Sequence, residues 1–137
     1  MKLICTGIDA LIEQLDRLDS DIGDVMDEML KAGAAEVTEV WKREAEARGH
    51  VGTRDMVDSI GPSRTWKSKD DARGITIYPQ GNDRHGTRNA AKAFWLNYGT
   101  KRGIPGDGWA VTADQKSQAP ATEAMQAVYD RLIQENE

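Results

Sequence analysis

The side chains best equipped for chemistry are few and far apart. The sequence holds 2 histidines, His50 and His85, and a single cysteine, Cys5. A zinc or non-haem iron centre needs several His, Cys or carboxylate ligands at helical or turn spacing. Cys5 has no histidine near it, and both histidines lie in polar, glycine-flanked stretches that read as surface loops. Nucleophilic catalysis needs a Ser or Cys beside a base and an orienting acid, yet neither a Gly-x-Ser-x-Gly elbow nor a Cys/His signature occurs. Gly103-Ile104-Pro105-Gly106-Asp107-Gly108 is rich in glycine, but it lacks the Lys-Ser/Thr ending of a phosphate cradle. The carboxylates fall on the outer faces of expected helices and not in the tight cluster of a two-metal nuclease. No catalytic, cofactor or metal site is expected, and the chain reads as a non-enzyme.

Charge and aromatic residues remain as candidates. The net charge of −5 hides an asymmetry: residues 1–39 carry three basic side chains and ten acidic ones, whereas residues 40–102 carry thirteen basic and seven acidic. An acidic start and a basic middle are complementary, within one subunit or between neighbours. Arg64, Lys67, Lys69, Arg73, Arg84, Arg88, Lys92, Lys101 and Arg102 form a central basic strip, with Trp66 and Tyr78 among them. Clustered cations meet phosphates and aromatic rings stack on bases, so weak, non-specific DNA contact is the alternative function. A pI near 5.1 counts against it.

These residues must be positioned by a chain of 137 residues, a length that suits one domain spanning 1–137. One cysteine excludes an intrachain disulfide and suits a reducing compartment. No apolar run approaches the roughly 20 residues of a membrane span, and the polar turn after Cys5 does not suit a signal peptide. A short edge strand is expected at Leu3–Thr6. Ile8, Leu11, Ile12, Leu15, Leu18 and Ile22 recur at helical spacing, predicting an amphipathic helix. Ser20 and Asp21 then cap a second, longer helix that runs to about Arg48 and ends at Gly49. Gly33 lies on its apolar stripe, as either a close approach or a kink. Val57–Ser68 and Gly74–Tyr78 read as antiparallel strands joined by a turn at Lys67–Asp71. Ala90–Tyr98 is a short helix, 99–118 a long loop with one strand at Trp109–Thr112, and Pro120 opens the last helix. The order predicts an α+β fold, with N-terminal amphipathic helices and a C-terminal helix packed on a small antiparallel sheet.

Three segments carry a resemblance. Thr6-Gly7-Ile8-Asp9-Ala10-Leu11 leads into an amphipathic helix. Gly52-Thr53-Arg54-Asp55-Met56-Val57-Asp58-Ser59-Ile60 follows the long helix. Ala93-Phe94-Trp95-Leu96-Asn97-Tyr98-Gly99-Thr100-Lys101 is an aromatic-rich helix closing on Gly and Thr. In this order they resemble the neck and tail-component family of HK97-like tailed bacteriophages, with the third segment the most specific. The chain departs from that family in a longer link between Thr100 and Pro120, which carries Trp109, and in Gln118-Ala119-Pro120 where a Pro-Phe pair is usual.

The resemblance implies a virion assembly protein, made in the host cytoplasm and built into the neck or upper tail as head–tail connector or tail-completion component. Its partners would be itself, as a ring with a hexamer among the expected sizes, and neighbouring head, neck and tail proteins; no membrane and no cofactor are implied. Phe94, Trp95, Tyr98, Gly99, Thr100 and Trp109 are the candidate interface. Phe94, Trp95 and Tyr98 cannot all lie on one helix face, so one of Phe94 and Trp95 is expected to pack inward and the other to face a neighbour.

Overall fold

Between Ile22 and Ala47 apolar side chains recur at steps of three and four: Met26, Leu30, Ala34, Val37, Trp41 and Ala45. That spacing places them on one side of a helix, α1 (Ile22–Ala47), and all six are buried. Asp24, Glu28, Glu36 and Glu39 face outward. Gly49 ends the helix with φ 76°, and the His50 N–H reaches back to the Ala45 carbonyl at 2.9 Å, the hydrogen bond of a Schellman stop. The structure, a computed structural model, describes residues 1–5, 22–69 and 72–135. The first amphipathic helix, the Ser20-Asp21 cap, the Thr6–Leu11 segment and the Asp70-Asp71 part of the turn lie outside the described residues.

The sheet is built around one strand. β1 (Lys2–Cys5), β2 (Ile60–Pro62) and β3 (Trp66–Lys67) all pair antiparallel with β4 (Arg73–Pro79). β1 flanks one side, with Leu3 opposite Ile75. β2 and β3 follow each other along the other side, bridged by the Ser63 N–H to Thr76 carbonyl bond of 2.7 Å. Alternation on β4 sends Ile75 and Ile77 into the core. The strand expected over Val57–Ser68 begins instead as a short helix, α2 (Asp55–Ser59), whose Met56 and Val57 are buried. Two adjacent apolar residues buried together suit a helical turn, since a strand would send them to opposite faces.

α3 (Asn89–Tyr98) and α4 (Trp109–Glu135) complete the fold. α1 lies on the sheet on one side and against α4 on the other, and the α1–α4 pair is the most extensive contact between elements. Gly33 is a close approach rather than a kink. A Cβ there would stand 2.9 Å from Met125 Cγ and 3.0 Å from Leu3 Cδ1, so its missing side chain lets α4 and β1 close over α1. Ion pairs run between the same layers: Arg73 with Asp27 at 3.0 Å, Lys116 with the buried Glu44 at 2.9 Å, and Arg131 with Glu28. The first of these joins the acidic start to the basic middle within one chain.

The C-terminal third corrects the sequence reading. Trp109–Thr112 is not a strand but the first turn of α4, so the link after Gly99 ends at Gly108. Pro120 lies inside this helix instead of opening it. Pro lacks only its own N–H, so a helix whose start is fixed elsewhere can carry one at the cost of a lost bond and local strain. Leu30 is wholly buried at the centre of the packing. Leu30→Ala is expected to lower the unfolding free energy by roughly 2–5 kcal/mol, read from urea denaturation at unchanged slope.

Candidate functional site

The surface around α3 is assembled by the residues that start α4. Gly108 holds the cap position, its carbonyl taking the Thr112 N–H at 3.0 Å, and Asp107 just before it accepts the Trp109 N–H through Oδ1 at 3.0 Å in an Asx turn. Asn97, in α3, accepts the next two N–H groups, from Ala110 at 3.0 Å and Val111 at 3.4 Å, through its own Oδ1. Its carbonyl takes the Gly108 N–H at 3.1 Å. The indole of Trp109 is fully buried and donates from Nε1 to the Ala93 carbonyl at 3.3 Å. Trp41 meets it edge-on, ring centres 5.4 Å apart, and His50 lies at 6.0 Å.

A charged clamp closes the same corner. Asp107 Oδ2 lies 2.6 Å from His50 Nε2, and Arg48 donates to the Asp107 carbonyl at 2.7 Å. Burial pulls the Asp107 carboxyl upward, but the Trp109 N–H, the bond from His50 and the charges of His50 and Arg48 outweigh it and hold it below its ordinary value. His50 is thus not the exposed loop histidine expected from sequence; only 14% of its side chain is exposed. Trp109, placed by sequence in the candidate interface, is a core residue, because a first-turn position facing α1 and α3 encloses its ring on every side.

The remaining aromatic residues of α3 do face outward. Phe94 is 59% exposed, Trp95 43% and Tyr98 67%, so both Phe94 and Trp95 are on the surface and neither packs inward. Ala93 and Asn97 take the buried face, and Leu96 is partly buried against the core. The ring centres of Phe94 and Tyr98 are 4.7 Å apart. After them Gly99 turns the chain at φ 85°; a Cβ would stand 2.7 Å from the Ile104 carbonyl oxygen, which holds the link tight against the helix end. Thr100 donates its N–H to that same carbonyl at 2.9 Å.

Phe94 and Tyr98 form one wall of a groove of about 450 Å³ between α3, β4 and the first turn of α4. Tyr78, Val111, Met1 and Lys2 contribute to its other walls, and Trp41 and Asp114 are among its lining residues. Val111 is 48% exposed. Sequence reasoning missed Val111, Asn97 and Asp107 as builders of this surface. The Asp107-Gly108 pair just before Trp109 is the cap signal that would have found the helix start.

Three cations of the basic strip are paired with carboxylates. Arg84 makes a two-pronged pair with Asp55, 2.8 and 2.9 Å, Arg73 pairs with Asp27, and Lys92 pairs with Asp83. Arg64, Lys69, Arg88, Lys101 and Arg102 are exposed, as is Lys67. Hydrogen bonds from Arg84, side chain and backbone, hold the Asp55 carboxyl far below its ordinary value, and the bond from Lys92 lowers Asp83. The bond from Lys116 does the same for Glu44. Among the described residues no three His, Cys, Asp or Glu side chains are grouped to hold a metal ion, and no helix is long and apolar enough to cross a membrane.

A carboxyl held low in the folded state stabilises it above the unfolded value of about 4 and stops doing so as pH falls through the folded value. Thermal stability is therefore expected to be flat above about pH 5 and to fall below about pH 4. Asp107→Asn should lower Tm at pH 7 and shallow that acid limb; a limb unchanged in the variant would remove Asp107 from the clamp.

Residues 9–99 match the family model described as "Bacteriophage HK97-gp10, putative tail-component". No curated protein and no solved structure matches the chain. The matched span includes α1, α2, the whole sheet except β1, and α3 up to the Gly99 turn.

Proposed function

The chain belongs to this family of phage tail components, and from that premise we propose that it is a non-enzymatic assembly protein acting at the neck or upper tail, as head–tail connector or tail-completion component. The observation that carries this reading is the division of labour on α3. Ala93 and Asn97 build the fold, while Phe94, Trp95 and Tyr98 stay exposed beside a groove that no part of the described chain fills. Large exposed aromatic rings lose stabilisation in water and anchor protein interfaces when covered. Patches of this kind on a virion protein suit contact with copies of itself and with neighbouring head, neck or tail proteins.

Mechanism here means association. A ring of more than two copies needs a heterologous contact, in which one patch meets a different patch on the neighbour. Exposed acids along α1 (Glu36 and Glu39 among them) and exposed cations after α3 (Lys101 and Arg102) give the two faces opposite signs. For the alternative, a nucleic-acid contact, Arg73, Arg84 and Lys92 of the strip are paired with carboxylates while Arg64, Lys69, Arg88, Lys101 and Arg102 stay exposed, and a gel shift with non-specific duplex at low salt tests it.

Electron microscopy of lysates from a phage or prophage lacking this gene tests the reading. Separate DNA-filled heads with free or abnormally long tails are expected. Intact, infectious particles would sink it.

A further inference from the structure

The surface around α3 carries a charge unlike that of the rest of the chain. The sequence has 23 Asp and Glu among 137 residues, yet residues 88–106 hold Arg88, Lys92, Lys101 and Arg102 and no acid. The acids that flank this stretch are turned away from the surface. Asp83 is buried and pairs with Lys92, and Asp107 is held by His50 and Arg48. Asp114, the acid in the groove's lining, lies within reach of the Met1 ammonium, whose charge offsets it, and Lys2 lines the groove beside them. Arg88, Lys101 and Arg102 are exposed and enter no ion pair among the described residues. An acidic protein thus presents one acid-free, cation-bordered face, and that face is the aromatic one.

An apolar groove with a cationic border fits an amphipathic segment whose apolar side chains enter the groove and whose carboxylates reach the border. A second copy of this chain meets only half of that description. Among the described residues, large apolar side chains are exposed only at Ile4 and on this same surface: α3, the link after it and the groove walls. The exposed acids of α1, Glu36 and Glu39, come with no such side chain. Two copies meeting face to face would set Lys101 and Arg102 of both together, which like charge disfavours. A nucleic acid meets the charge, but Ile104 and Val111 offer no ring to stack on, and Pro79, Ala90 and Ala93 give the groove walls no side-chain donors for base edges. Resting on the assembly reading above, we propose that α3 and its groove receive an acidic amphipathic segment of a different virion protein. Phe94, Tyr98 and Val111 cover its apolar side chains, and Lys101, Arg102 and Lys2 meet its carboxylates.

Two measurements on the full chain test this. In the first, a gene-deleted phage is complemented with protein carrying the photo-crosslinker p-benzoylphenylalanine in place of Phe94 or of Tyr98, both exposed, and the assembled virions are irradiated. Mass spectrometry is expected to find the ring joined to another virion protein, at a segment where Asp or Glu flank apolar residues. A crosslink to a second copy of this chain, to DNA or to a segment without acids would overturn the proposal, and so would infectious particles with no crosslink. The second measurement needs no virion. Purified protein is titrated with an amphipathic probe peptide of Leu and Glu and with its counterpart of Leu and Lys, and binding is read from the Trp95 indole N–H resonance so that only this surface counts. The Glu peptide should bind with a Kd about tenfold lower at low salt, and the difference should shrink as salt rises. Lys101→Glu/Arg102→Glu, with unchanged circular dichroism, should lose that preference, whereas Lys101→Arg/Arg102→Lys should keep it. Equal affinity for the two peptides, or a preference that survives charge reversal, would defeat the acidic-partner reading. Either failure leaves the assembly role standing, since only the gene deletion speaks to that role.

Discussion

The seat of the Trp109 indole governs the functional half of the molecule. Its ring is enclosed by Trp41 and His50, and its N–H is spent on the Ala93 carbonyl of α3. Because that ring cannot move without opening the core, the first turn of α4 is held against α3 and α1 together. Asn97 and Asp107 then complete the turn's hydrogen bonding, and Arg48 and His50 hold Asp107 from the α1 side. One buried side chain thereby aligns three helices. The aromatic residues that α3 turns outward are rigid because those it turns inward are pinned.

This arrangement explains why α3 can expose Phe94, Trp95 and Tyr98 together without the fold losing its core. The core is supplied by α1, β4 and Trp109, and α3 contributes mainly small or polar buried groups, Ala93, Asn97 and Asn89. A helix freed from core duty can be aromatic for a partner's sake. The ion pairs serve the same economy of surface. Arg73–Asp27 and Arg84–Asp55 fasten strand and loop to helices.

What could be read from sequence follows from which interactions are local. The α1 stripe, the β-branched run of β4 and the glycine stops at Gly49 and Gly99 are local signals, and they appear in the structure where spacing and turn chemistry placed them. The start of α4 depends on Asn97, thirteen residues before Ala110 and on another helix, so Trp109–Thr112 looked like a strand by its own propensity. Pro120 misled for the same reason: it suits a first turn, but a tertiary anchor had already begun the helix upstream. The aromatic motif was legible as a feature. Which of its rings face water was not, because that depends on Trp109 filling the space beneath them. His50 was misplaced for a like reason, since its partner Asp107 is 57 residues away.

The claim on which the account stands is that the exposed aromatic face of α3 serves assembly and not folding. Complementation of a gene-deleted phage with Phe94→Ser/Tyr98→Ser tests it most directly, with Tm of the purified variant measured alongside. The account predicts a folded protein, its Tm within a few degrees of the parent, and a loss of infectious particles with unjoined heads and tails accumulating. Full titre from that folded variant would contradict it.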